Sequence, residues 1–159
     1  MATDFFLELD GIKGESIDAK HKDKIDILSW SWGMSQSGTF AAGAGGGAGK
    51  VNVQDLTVTK YVDKASCDLM YHCASGKHIA KGQLIIRKAG EKPLEYLVIK
   101  VENVLISHVS TGGAHGQERL TENISLNFAK VAAEYKTQDE KGAGKDGGSF
   151  TWNIASNTK

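Results

Sequence analysis

The sequence is poor in the residues that mark several large protein classes. It has one proline, Pro93, two arginines, Arg87 and Arg119, and two cysteines, Cys67 and Cys73. Nineteen basic residues meet nineteen acidic ones, so the formal net charge is zero. A chain without a basic surplus cannot release many counterions, which argues against nucleic acid as a partner. No run approaches the roughly 18 apolar residues of a membrane span, so no membrane insertion is expected. The N-terminal MATDFFLELDG has no basic n-region, and Asp4 and Glu8 interrupt its apolar stretch. It does not read as a signal peptide. The expected address is the cytoplasm, with any export reading the folded domain.

What is present describes a folded domain. The 159 residues are 40% hydrophobic and 24% charged, enough for one domain, 1–159, with a sizeable core. Strand signals dominate. In 120–128, Leu120, Ile124, Leu126 and Phe128 alternate with Thr121, Asn123, Ser125 and Asn127. That is the period of a half-buried strand, with Glu122 the one polar residue on its apolar side. The phase flips after Ala129, where Val131, Ala133 and Tyr135 oppose Lys130 and Glu134. The run Val51, Val53, Leu56, Val58 flips likewise. Both flips predict β-bulges.

Residues 94–109 form another long strand, with Leu97, Ile99, Val101 and Leu105 on one face. GQLIIRK precedes it across a hairpin turn at Pro93. Residues 3–9, 24–32 and 150–154 bring the set to at least seven strands. Residues 63–76 break the pattern. Ser66, Leu69, Met70 and Cys73 fall at i, i+3, i+4 and i+7, Asp63 stands at the start and Gly76 at the end. This predicts one helix. One helix among long antiparallel strands predicts a mainly β fold, a barrel or sandwich with a flanking helix. Two glycine-rich segments, 38–49 and 142–148, read as loops.

Four chemical readings fail on these residues. GAGGGAGKV, Gly43 to Val51, invites a phosphate-binding loop. Yet Val51 stands where the magnesium-ligating hydroxyl belongs, and a strand pattern follows where a helix must. Cys67, His72, Cys73 and His78 match no zinc spacing, and on a helix the two cysteines point about 120° apart. They lie about 9 Å apart along the axis, beyond the roughly 7 Å Cα limit of a disulfide, and read as packing residues in a reducing compartment. Ser75 in CASGK lacks the nucleophile-elbow pattern. His115 and Glu118 form an acid–base pair on paper, with no nearby nucleophile beyond ordinary serines. No catalytic residue, metal or cofactor is therefore expected.

SWSWGMSQSG, Ser29 to Gly38, is unusual in another way. Leu28, Trp30 and Trp32 share one face, while Ser29 and Ser31 share the other. Aromatics on one side bury well, leaving a small hydroxylated face outside.

At these residues the chain resembles the Hcp family, the haemolysin-coregulated proteins of bacterial type VI secretion systems. The resemblance is carried in order by GES.D, SWSWGMSQSG, GKVNVQDLTVTKYVDKAS, CASGKH, STGG…ERLTENISLNFAKV…EY and KDGGSFTWNI. It implies a closed antiparallel β-barrel with one flanking α-helix, six copies forming a ring with a wide central hole. Rings stack into a tube that a contractile sheath drives out beneath a VgrG-type spike. Small effector proteins ride in the lumen, and no catalytic site is involved. The resemblance implies delivery from the bacterial cytoplasm to the exterior without a signal peptide. No fused toxin domain is expected after the last strand. Within this picture Ser29 and Ser31 are expected to face the lumen. The stretch Ala44, Gly45, Gly46, Gly47, Ala48, Gly49 and Lys50 is expected to contact a neighbouring subunit or ring. The rival readings are a monomeric ligand-binding barrel, lectin-like or lipocalin-like, and a hydrolase using His115 and Glu118.

Overall fold

The computed structural model describes residues 2–38 and 49–159. In chain order the strands are β1 Thr3–Leu9, β2 Ile25–Ile27, β3 Ser29–Ser31, β4 Met34–Ser35, β5 Asn52–Val53 and β6 Leu56–Tyr61. The helix α1, Ser66–Ser75, follows. Then come β7 Ile79–Lys88, β8 Leu94–Gly112, β9 Thr121–Gln138 and β10 Gly144–Asn153. Eight strands form one antiparallel sheet in the order β2-β1-β7-β8-β9-β6-β3, with β10 also paired to β9.

The sheet closes through a single short stretch of chain. β2 pairs with β1 at one edge, and β3, one residue later, pairs with β6 at the other. Leu28 lies between them and donates its N–H to Thr59 O at 2.8 Å. Residues 25–31 are thus the seam of a nearly closed barrel, which removes both open edges at this point. Inside it pack the alternate residues of every wall strand, among them Leu7, Ile25, Leu56, Val58, Leu84, Ile124 and Leu126, all fully buried.

The long strands keep inward-facing residues along curved paths by changing phase. In β8 the buried set passes from Ile99 and Val101 to Val104 and Ile106. In β9 it passes from Leu126 and Phe128 to Val131. The register is unchanged across both, Glu102 opposite Lys130 and Val104 opposite Phe128. The phase flip read at Ala129 is therefore no one-strand bulge. It is a kink shared by two paired strands, with Asn103 at φ 54°, a conformation asparagine tolerates. His78 Nδ1 lies 2.7 Å from Asn103 Oδ1. The Ala129 carbonyl turns to accept the N–H groups of Ile154 and Ala155. True register shifts fall at Ile106/His108 and Ile86/Arg87.

Several other expectations are corrected. Leu105 lies beyond the kink and leaves the buried row. Leu120 precedes β9 and is 47% exposed. The flip between Val53 and Leu56 is a strand break, since β5 pairs with β4 in a separate small sheet. The glycine-rich 142–148 is not a loop throughout. β10 starts at Gly144, and a bulge between Asp146 and Gly148 absorbs the glycines. There Gly147 lies so close to Tyr135 that a Cβ would fall 2.5 Å from the ring.

The helix is shorter than 63–76. It ends, as read, at Gly76 in the left-handed region at φ 68°. Asp63 caps the approach turn instead, accepting the Ala65 N–H at 2.9 Å. Leu69 is fully buried and Cys73 packs on the core, but Met70 is 40% exposed. The helix meets the barrel along the narrow line of Ser66, Leu69 and Cys73. Cys67 is exposed, and both thiols are free.

Candidate functional site

Two surfaces and one buried cluster stand out. The first surface is the outer face of β3, β6 and β9, continued onto β8. Because the core takes every second side chain, each strand must show the intervening ones outside. On β3 these are Ser29 and Ser31, both exposed. Opposite them on β6 stand Thr59 and Thr57. Opposite those on β9 stand Asn123 and Ser125, and Ser110 of β8 continues the first row. Hydrogen bonds run along each row from β6 to β9: Thr57 Oγ1 to Ser125 Oγ at 3.0 Å, and Thr59 Oγ1 donating to Asn123 Oδ1 at 2.7 Å. Asp55 bounds the face at one end, accepting from Ser107 and Asn127. Arg119, stacked on Tyr61 at 3.7 Å, bounds the other. Between them lies a band of hydroxyl and amide groups free of Asp, Glu, Lys and Arg, with the exposed His108 of β8 opposite Ser125. Trp30 turns the other way and meets Phe5 edge to face at 6.5 Å. Leu28, read with the tryptophans, is 43% exposed instead, because the chain steps between sheet edges there and the alternation breaks.

The second surface is built by the segment 13–24, which folds back over the outside of β1. Its Asp18 carboxylate receives Arg87 Nη1 at 3.0 Å and Nη2 at 2.7 Å. Hydrogen bonding from Arg87 holds the Asp18 carboxyl at about 2, well below the usual range, and raises the Arg87 guanidinium in return. Arg87 also lies over the Phe6 ring, whose flank stacks on His21.

The buried cluster lies under the helix. Lys60 and Glu122, directly paired across β6 and β9, are both fully buried and joined as an ion pair. Lys60 Nζ also reaches Asp63 Oδ1 at 2.9 Å, and Ser66 Oγ donates to Glu122 Oε1 at 2.6 Å. The cluster ties the start of α1 to the barrel wall.

The other sequence candidates disperse. His115 and Glu118 are exposed on the turn closed by Gln117 onto Ala114. The described residues hold no group of three or more His, Cys, Asp or Glu in metal-binding proximity. Among the described residues no helix is long and apolar enough to cross a membrane. Of the glycine-rich stretch, Ala44–Ala48 lies outside the described residues. Gly49 and Lys50 are exposed and lead into β5, so a strand, not a helix, follows Lys50.

A mainly β, nearly closed antiparallel barrel with one flanking helix is the fold of the solved Hcp proteins of type VI secretion. The chain belongs to the Hcp family of type VI secretion: residues 6–135 match the family described as "Type VI secretion system effector, Hcp". It is 57% identical to protein hcp1 of Pseudomonas aeruginosa, over all of this chain and 99% of that one. The crystal structure of Hcp1 from Salmonella typhimurium aligns with a TM-score of 0.80 at 40% identity, covering 99% of both chains. A type VI secretion system effector from Yersinia pestis aligns at 0.77 and 36% identity, covering 95% of this chain and 100% of that one. These likenesses do not favour a monomeric ligand-binding barrel, and the family is not one defined by catalysis.

Proposed function

We propose that six copies of this chain close into a ring whose bore is lined by the uncharged band that begins at Ser29 and Ser31. The rings stack into the tube of a type VI secretion system and carry small effector proteins without performing a chemical step. The tube assembles in the bacterial cytoplasm, inside a contractile sheath and beneath a VgrG-type spike, and is then delivered outside without a signal peptide. The 38–50 connection contacts a neighbouring subunit or ring. The observation that carries the reading is the band itself, rich in hydroxyl and amide groups and free of Asp, Glu, Lys and Arg. Such a surface offers hydrogen bonds to varied cargo while imposing no desolvated charge on it. It sits on hydrogen-bonded strands of the nearly closed barrel.

Ser31→Arg tests the reading. Its side chain is exposed, so the barrel should keep its stability and rings should persist. Retention of a small type VI effector, co-produced and co-purified with the rings, should fall by on the order of tenfold, the effect of about 1.4 kcal/mol. Undiminished retention on intact rings would place cargo elsewhere.

A further inference from the structure

Histidine is the residue type that can gain a charge between about pH 5 and 8. The band that begins at Ser29 and Ser31 holds one among the described residues, His108, and a bulge puts it there. Val104 and Ile106 of β8 are buried, so unbroken alternation would send His108 into the core. Ile106 pairs with Leu126, yet His108 pairs with Ser125, which leaves Ser107 as an extra residue in β8. Such a bulge re-aims the side chains that follow it. Val109 takes the inward place opposite Ile124 and packs against the core, while His108 is exposed. Ser107 Oγ fixes the bulge, donating to Asp55 Oδ2 at 2.6 Å and lying 3.2 Å from Ser125 O.

The ring nitrogens of His108 are open to a partner. Three other histidines are committed: His21 to Glu95 and Lys24, His72 to Asp68 O, and His78 to Asn103. His108 has no such bond among the described residues. It ends the row Ser31, Thr57, Ser125, with Asn123 and Asn127 on its diagonals and Ser110 beside it on β8. Asp55, the acid that bounds the band, is engaged by Ser107 and Asn127. Arg119, the bounding base, stacks on Tyr61. Glu102 and Lys130 stand opposite each other beyond the kink. The start of α1 meets these strands from the other face, where Ser66, Lys60 and Asp63 gather around Glu122. A proton taken up by His108 thus adds a charge that no carboxylate in its row offsets, and a ring repeats that charge once per subunit.

We propose that His108 selects cargo by charge, binding carboxylate-rich protein segments in the bore and holding them more tightly as falling pH charges the imidazole. This inference rests on the ring reading above and names a chemistry for the bore. The test measures binding of rhodamine-labelled decaglutamate by fluorescence anisotropy. Rings of wild type, His108→Gln and His72→Gln are compared at about pH 6 and about pH 8 in low salt, with negative-stain imaging at both values. Wild type and His72→Gln should bind roughly fivefold or more tightly at the lower pH, and about 0.5 M salt should remove the gain. His108→Gln should lose the difference and keep the wild-type thermal midpoint, since the side chain it replaces is exposed. Binding by wild type that does not change with pH would overturn the inference and leave the ring reading standing. So would a difference that survives in His108→Gln, one that disappears in His72→Gln, or one that salt leaves intact. A wild type that never forms rings would overturn both.

Discussion

Lys60→Met should be among the most damaging single substitutions in this chain. Lys60 and Glu122 side chains are 0% exposed and that of Asp63 is 8%. One ammonium serves two carboxylates there. Removing it leaves Glu122 unpaired where its side chain has no exposed surface, beside a nearly buried Asp63, and breaking a buried pair from one side costs roughly 3–5 kcal/mol. In a chain of this size that lowers the thermal midpoint by on the order of 10 °C. Replacing both partners of the central pair, Lys60→Met with Glu122→Leu, should recover at least half of the loss, because no uncompensated charge then remains in the wall. Urea denaturation of wild type, single and double variants measures this. A single variant within about 1 kcal/mol of wild type would mean that the cluster is hydrated or already neutral.

Leu69→Ala should be comparably costly and should act on one element. Leu69 is the fully buried apolar residue of α1 and sits between Ser66 and Cys73 on the helix's contact line. Deleting a buried leucine side chain costs roughly 2–5 kcal/mol in transfer and cavity terms. Alanine is the better helix former, so intrinsic helicity cannot account for a loss. The amides of α1 should exchange with solvent faster while those of β7 and β8 keep their protection. Equal loss of protection throughout would show that helix and barrel open only together.

The barrel was legible because burial on one side of a sheet imposes period two. The alternation in 120–128 became the first half of β9, and the stripe of Ser66, Leu69 and Cys73 became the helix contact. The Gly76 stop was legible because only a left-handed residue closes such an end easily. Places where the period changes were harder. A phase flip at Ala129 announces a kink, but one strand's pattern does not reveal that β8 flips opposite it. Leu28 and Leu120 went astray because each stands just outside a strand, where alternation no longer applies. The buried ion cluster was half visible. Glu122 stands on the apolar side of its strand, and Lys60 shares the parity of Leu56 and Val58. Only the β6–β9 register brings the two together. Ser29 and Ser31 were legible as an outward hydroxyl face. That the band runs on through Thr57, Thr59, Asn123 and Ser125 again depends on register.

The central claim is that this barrel is one sixth of an open ring. Native mass spectrometry combined with negative-stain imaging of the full chain tests it most directly. The account predicts a hexamer seen end-on as a ring with a stain-filled hole. A monomer at every concentration, or a closed assembly without a bore, would contradict it.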